Sequence, residues 1–451
     1  MTNLSRRKFI ATAGVAAAGS LLAHGCSSGN STSSTADSSA KSPSAAPAVN
    51  VSAADTPEVT TAKLGFIALT DSSPLIIAKE KGFFAKYGMK DVEVIKQASW
   101  AVTRDNIELG SAGGGIDGAH ILTPMPYLLT AGTITKSKAK LPMYILARLN
   151  VDGQCISVAN TYKDLNVGTD STPLKEAFAK AKAGGKEIKC AVTFPGGTHD
   201  LWMRYWLAAG GIDPNTDVST IVVPPPQMVA NMKVGNMEAF CVGEPWNAQL
   251  VAQGQGLTAL TTGELWNNHP EKALSLRADW VDKNPKAAKA LLMAVQEAQM
   301  WCAQEENKEE MCQIVSGREW FKVAKNDILG RSMGKFDYGN GKVVENSPHM
   351  MKFWMEDAAT NASYPYKSHD LWFLTEDIRW GYLPADTDTK QLVEAVNRED
   401  LWQAAAKAIG QEAAIPKSTS RGVETFFDGT KFDPENPEAY LKALKIKKVS
   451  A

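Results

Sequence analysis

Three short segments at the start of the folded region constrain the fold more than anything else in the chain. Lys63–Leu69 is an apolar run bounded by polar residues, as a buried strand requires. Ser73–Phe84 opens on Ser-Pro, a helix entry, and meets Gly82 near its end. Asp91–Ile95 then alternates with a period of two. Strand, helix and strand in that order form a crossover unit, which predicts an α/β domain on a mostly parallel sheet.

A second observation extends the first. Leu109–His120 reads as helix end, glycine turn and strand entry, and Met232–Phe240 repeats that pattern far downstream. Two lobes with the same local grammar account for the repeat. Beyond Trp280 the chain turns helical, with strong helix formers over Pro285–Ala298. Residues 415–440, rich in Ser, Thr, Pro, Asp and Gly, predict a surface-hugging tail pinned by Phe426 and Phe427.

With 451 residues, of which 44% are hydrophobic, the chain buries a large core and has room for two or three domains. Its 48 basic and 49 acidic residues nearly cancel, which leaves no diffuse field for a nucleic-acid backbone. Nowhere do 18 or more apolar residues run without a charge, so no membrane-spanning segment is expected in the mature protein.

The N-terminus reads as an address. Ser5–Ile10, with Arg6 and Arg7, resembles a twin-arginine export signal, and Leu22–Cys26 resembles a lipobox in which Cys26 is acylated. Residues 1–25 are thus expected to be removed, leaving 45 basic against 49 acidic residues, a net charge of −4. Any anion site must then be local. Of the 34 residues from Ser27 to Thr60, 21 are Ser, Thr or Ala. Residues 26–60 are therefore expected to be a lipidated flexible tether, reaching about 30–35 Å. The expected location is the inner membrane, lipid-anchored and facing the periplasm.

The other five cysteines, Cys155, Cys190, Cys241, Cys302 and Cys312, show no repeated spacing, and an odd number argues against a disulfide framework. Neither a metal site nor a cofactor is expected. Gly113–Gly118 satisfies GxGxxG, but Pro124 and Pro126 follow too soon for a crossover helix, so a tight turn at a cleft edge is expected instead. Phe194–Gly211 runs from a strand end through Pro-Gly-Gly into a helix capped by Thr198 or His199, whose free N–H groups suit an anion. Leu201, Trp202, Tyr205 and Trp206 on that helix read as core. Six histidines are present, yet no nucleophile elbow supports catalysis.

Several runs together resemble the periplasmic nitrate-binding proteins of cyanobacterial-type ABC transporters, relatives of bicarbonate-binding proteins. They are Glu80–Gly88, Lys96–Trp100, Gly113–Gly118, Gly243–Trp246 and Ser420–Gly429, and the resemblance extends from about Lys63 to the C-terminus. It implies a two-lobed solute-binding fold of type II, C-clamp topology, with the ligand in the interlobe cleft. The lobes are expected at residues 61–152 with 250–451, and at 153–249. It also implies capture of nitrate, with nitrite as a further ligand, and delivery to the permease and ATPase subunits of an ABC transporter.

Carried over by position, the ligand contacts implied are Trp100, Gln154, His199, Gly243 and Lys272. All five can donate hydrogen bonds, and Lys272 adds a full charge. Nitrate, with three acceptor oxygens and no proton, suits a pocket whose walls only donate. Bicarbonate needs an acceptor, and a bicarbonate-binding relative carries a carboxylate in place of Lys272 with calcium beside it. Glu271 stands next to Lys272, so a one-residue slip exchanges the two readings. Asp152, beside Gly153-Gln154, brings an unhelpful negative charge unless it points away. A more distant alternative is an enzyme like those of thiamine-pyrimidine synthesis, which share the clamp fold.

Overall fold

A computed structural model describes residues 55–355 and 360–448. The expected export signal, Cys26 and most of the tether lie outside the described residues. The tether's last residues do not hang free. The Glu58 carboxylate accepts the Lys286 and Ala287 N–H groups at 3.1 and 3.0 Å, at the N-terminus of the long helix Pro285–Ala303.

Ten strands build two five-stranded sheets. They are β1 Thr61–Phe66, β2 Asp91–Lys96, β3 Gly118–Leu122, β4 Met143–Val151, β5 Gln154–Ala159, β6 Lys189–Val192, β7 Ser219–Val222, β8 Ala239–Gly243, β9 Gly256–Thr261 and β10 Pro270–Arg277. The first sheet has the order β2-β1-β3-β10-β4, the second β7-β6-β8-β5-β9. In each, the first three strands are parallel and the last two antiparallel to their neighbours. The two sheets are thus the same pattern drawn twice, and the repeated segments deliver β3 and β8 to the same central place.

β1 and β2 do flank a helix, Ser73–Glu80, and pair in parallel. The expected helix stops early because Gly82 takes a left-handed conformation (φ 74°), and a short helix restarts at Phe83. The Gly113–Gly118 turn feeds β3 directly, without a crossover helix. Its tightness is visible at Gly115, where a Cβ would stand 2.0 Å from the Asn106 carbonyl oxygen. That contact is with the preceding helix, and not with a cleft.

The chain leaves the first sheet at Val151 and enters the second at Gln154 through Asp152 and Gly153, both at positive φ (57° and 86°). The return comes later than residue 250, because Gly256–Thr261 is still the edge strand of the second sheet. Residues 262–269 make the passage back. The C-terminal part also serves more than the first lobe. Trp372, on the helix Lys367–Trp380, stacks on Trp202 of the helix Thr198–Ala209, with centroids 5.0 Å apart. The helix Thr389–Val396 packs instead on β4 and on the helix Met125–Ala131.

Phe426 pins the tail as expected, 3% exposed between Trp266, Trp372 and Tyr205. All five described cysteines are buried and unpaired by disulfide. Among the described residues no helix is long and apolar enough to cross a membrane.

Candidate functional site

The loops at strand ends of the two sheets meet at one buried cluster. β1 leads into the Asp71 turn, β3 carries His120, and β10 carries Glu271 and Lys272. From the second sheet come Gln154 at the start of β5, Gly243 at the end of β8, and Thr198 and His199 at the start of the helix after β6. Backbone ties hold the halves in register, among them Thr70 N–H donating to the Glu244 carbonyl at 2.8 Å.

Lys272 is fully buried, and its ammonium lies 3.0 Å from Asp71 Oδ2 and 2.9 Å from Glu271 Oε1. Burial alone would depress its pKa, but the two carboxylates outweigh burial and hold it above the usual lysine range. Asp71 mirrors this. Burial disfavours its charge, yet Lys272 and His120 hold its carboxyl well below the ordinary range. His120 Nε2 lies 2.5 Å from Asp71 Oδ1.

Gln154 Nε2 donates to Asp71 Oδ2 at 3.1 Å, and its Oε1 is 2.8 Å from His199 Nε2. His199 Nδ1 in turn lies 2.6 Å from the Thr193 hydroxyl. Burial first, and the Lys272 charge second, push His199 down to about 3, so its ring is neutral. The hydrogens therefore run in one direction. Thr193 donates to His199, His199 to Gln154, and Gln154 to Asp71, where Lys272 and His120 also converge.

The five residues implied by the resemblance are thus brought into one neighbourhood. A Cβ on Gly243 would stand 2.5 Å from Gln154 Oε1 and 3.2 Å from Asp71 Oδ2. Trp100 stacks obliquely near His120, with centroids 5.3 Å apart, and its buried indole N–H has no partner. The expectation of walls that only donate does not hold, because two carboxylates, Asp71 and Glu271, face the ammonium.

Nor were Lys272 and Glu271 alternatives. Neighbours on a regular strand point to opposite faces, but register shifts against β4 flank Lys272, and both side chains reach the same cluster. The Glu271 carboxylate already has three donors. It accepts from the Thr198 hydroxyl, from Lys272, and from Trp202 Nε1 at 2.9 Å. Thr198 is therefore not the helix cap, a place taken by Gly197. Trp202 is core and site at once. Asp152 pairs with Lys352, at 3.2 Å, with His269 3.8 Å off. Cys155, adjacent to Gln154, donates its thiol to Glu244 Oε1.

Sequence reasoning missed Asp71 and His120. Both had a signal. His120 is the one polar side chain in the strand Gly118–Leu122, and Asp71 follows β1 where His199 follows β6.

A profile described as the NMT1-like family matches residues 55–316. The nitrate/nitrite binding protein NrtA of a Nostoc species is 65% identical over the whole of both chains. The bicarbonate-binding protein CmpA of a Synechococcus species is 46% identical over 99% of this chain and 98% of its own. The crystal structure of the periplasmic nitrate-binding protein NrtA from Synechocystis superposes with a TM-score of 0.84 at 69% identity. It covers 87% of this chain and 100% of that one. With the profile spanning more than half the chain and such relatives matching it end to end, the chain belongs to the NMT1-like family.

Proposed function

We propose that the chain captures nitrate, with nitrite as a second ligand, and hands it to an ABC permease and its ATPase. On this reading Cys26 carries the lipid that keeps the protein at the periplasmic face of the inner membrane. The observation that carries the reading is the convergence of Lys272, Gln154, His199, Trp100 and Gly243 on one buried locus between two sheets. Full-length likeness to nitrate/nitrite binding proteins supports it. The lobes are the bodies around the two sheets, joined by the backbone at Asp152-Gly153 and at residues 262–269 and spanned by the C-terminal segment.

An anion at this locus is held by N–H donors and one ammonium, beside the Asp71 and Glu271 carboxylates that the ammonium also pairs with. A micromolar dissociation constant corresponds to about 8 kcal/mol, which a few charge-assisted hydrogen bonds at about 1.5–3 kcal/mol each supply. Bicarbonate with calcium is the poorer fit. A cation would have to take Glu271 from Thr198, Trp202 and Lys272, all of which it already serves.

Titration calorimetry with nitrate, nitrite, and bicarbonate with and without calcium tests the reading. Nitrate is expected to bind at micromolar or tighter dissociation constants, and bicarbonate not at all. Calcium-dependent bicarbonate binding with no response to nitrate would overturn it.

A further inference from the structure

His120 lies within β3 in apolar company, with no exposed surface, and it was not among the residues implied for ligand contact. Its Nε2 is committed to Asp71. Its Nδ1 is buried without a hydrogen-bond partner, and so is the N–H of Trp100, the ring beside it. Two unmet polar atoms on adjoining rings are costly in a protein interior unless a third group serves them.

The charges around His120 set the second constraint. Asp71 faces it from the turn after β1, Glu271 and Lys272 from β10, and His199 from the helix after β6. The helix Trp100–Leu109 contributes the uncharged indole. With both imidazoles neutral, two carboxylates and one ammonium sum to −1. A univalent anion added there makes −2 in a site withdrawn from water, which strongly favours the uptake of one proton. His199 has both ring nitrogens engaged. His120 Nδ1 is not engaged.

We propose that His120 is a further ligand-binding residue, and that capture of a univalent anion is accompanied by uptake of one proton at its Nδ1. The step makes one N–H bond, takes its proton from the solvent buffer, and changes no bond in the ligand. The Asp71–His120 pair becomes carboxylate and imidazolium, and the new Nδ1–H joins the Trp100 N–H as a donor to the anion. Burial, though opposed by Asp71, holds the free imidazole below the ordinary histidine range, so the proton arrives with the ligand. This inference rests on the reading of the cluster as an anion site.

Calorimetry of the full chain with potassium nitrate near pH 8, in phosphate and in Tris, counts the protons exchanged. About one proton taken up per nitrate is expected for the wild type and about none for His120→Asn. Wild-type affinity is expected to weaken roughly tenfold per pH unit on the alkaline side. Nitrate binding with no proton uptake, or unchanged uptake in the variant, overturns the inference while leaving the proposed function intact. No nitrate binding overturns both. Should the variant fail to fold, histidine nitrogen NMR of the wild type decides. A buried ring gaining a second N–H on nitrate addition supports the inference, and rings that keep a single N–H sink it.

Discussion

Lys272 Nζ and Asp71 Oδ2, 3.0 Å apart and both without solvent exposure, form an ion pair that joins the last strand threaded into the first sheet to the turn after its first strand. Such a pair gives little net stability against an apolar replacement, because both charges have left water. Removing one partner is another matter. What the pair does is keep a buried positive charge ionised and aimed, which is what an anion receptor requires.

Lys272→Gln is therefore expected to act twice. It leaves Asp71 and Glu271 buried without their cation, costing about 3–5 kcal/mol of stability, and weakens nitrate binding about a hundredfold or more. Denaturant titration and calorimetry read the two effects separately. A variant that binds nitrate like the wild type would remove Lys272 from the site.

Gly243→Ala probes the opposite wall. The added methyl meets Gln154 Oε1 at 2.5 Å, so the amide has to swing away from His199 while the strand itself accepts the residue. We expect a folded protein with stability within about 2 kcal/mol of the wild type and at least about tenfold weaker nitrate binding. Undiminished affinity would mean that the Gln154–His199 contact is not used.

Trp202→Phe keeps most of the stack on Trp372 but deletes the N–H that serves Glu271 Oε2. A carboxylate oxygen left short of a donor in the interior costs about 1–3 kcal/mol. Equilibrium unfolding in urea measures this, and a change below about 0.5 kcal/mol would show that the bond contributes nothing.

Acid stability follows from the buried imidazoles. Burial holds His269 and His369 down to about 4, and burial with Lys272 holds His199 down to about 3. In the unfolded chain each takes up a proton near pH 6.5. The unfolded state is thus favoured as pH falls below that value, and the loss continues until the folded values are reached. At pH 5 each histidine removes about 2 kcal/mol, from about 1.4 kcal/mol per unit over about 1.5 units. Urea midpoints at pH 7.5 and pH 5 test this, with His369→Gln expected to recover about 2 kcal/mol of the difference. A flat profile would contradict it.

Much of the fold was legible in the sequence because it rests on local signals. The crossover from Lys63 to Ile95 and the glycine turns before β3 and β8 announce themselves through periodicity and punctuation. The limits of the second sheet were not legible, since Gly256–Thr261 joins it through long-range pairing with β5 that no local pattern encodes. At the site, His199 was legible at its helix start and the other donors came from resemblance, whereas Asp71 drew no notice and Glu271 figured only as an alternative to Lys272. Register shifts in β10 turn Glu271 inward beside Lys272, and only the folded chain displays them. Trp202 read as core because periodicity reports burial and is silent on what an indole N–H does once buried.

The aromatic seat of the C-terminal segment has one more consequence. Residues that pack on Trp202 at one end and on β4 at the other form a strap across the molecule, so the halves cannot swing apart on two backbone passages alone. Any separation of the halves has to slide Trp372 over Trp202 or break their stack.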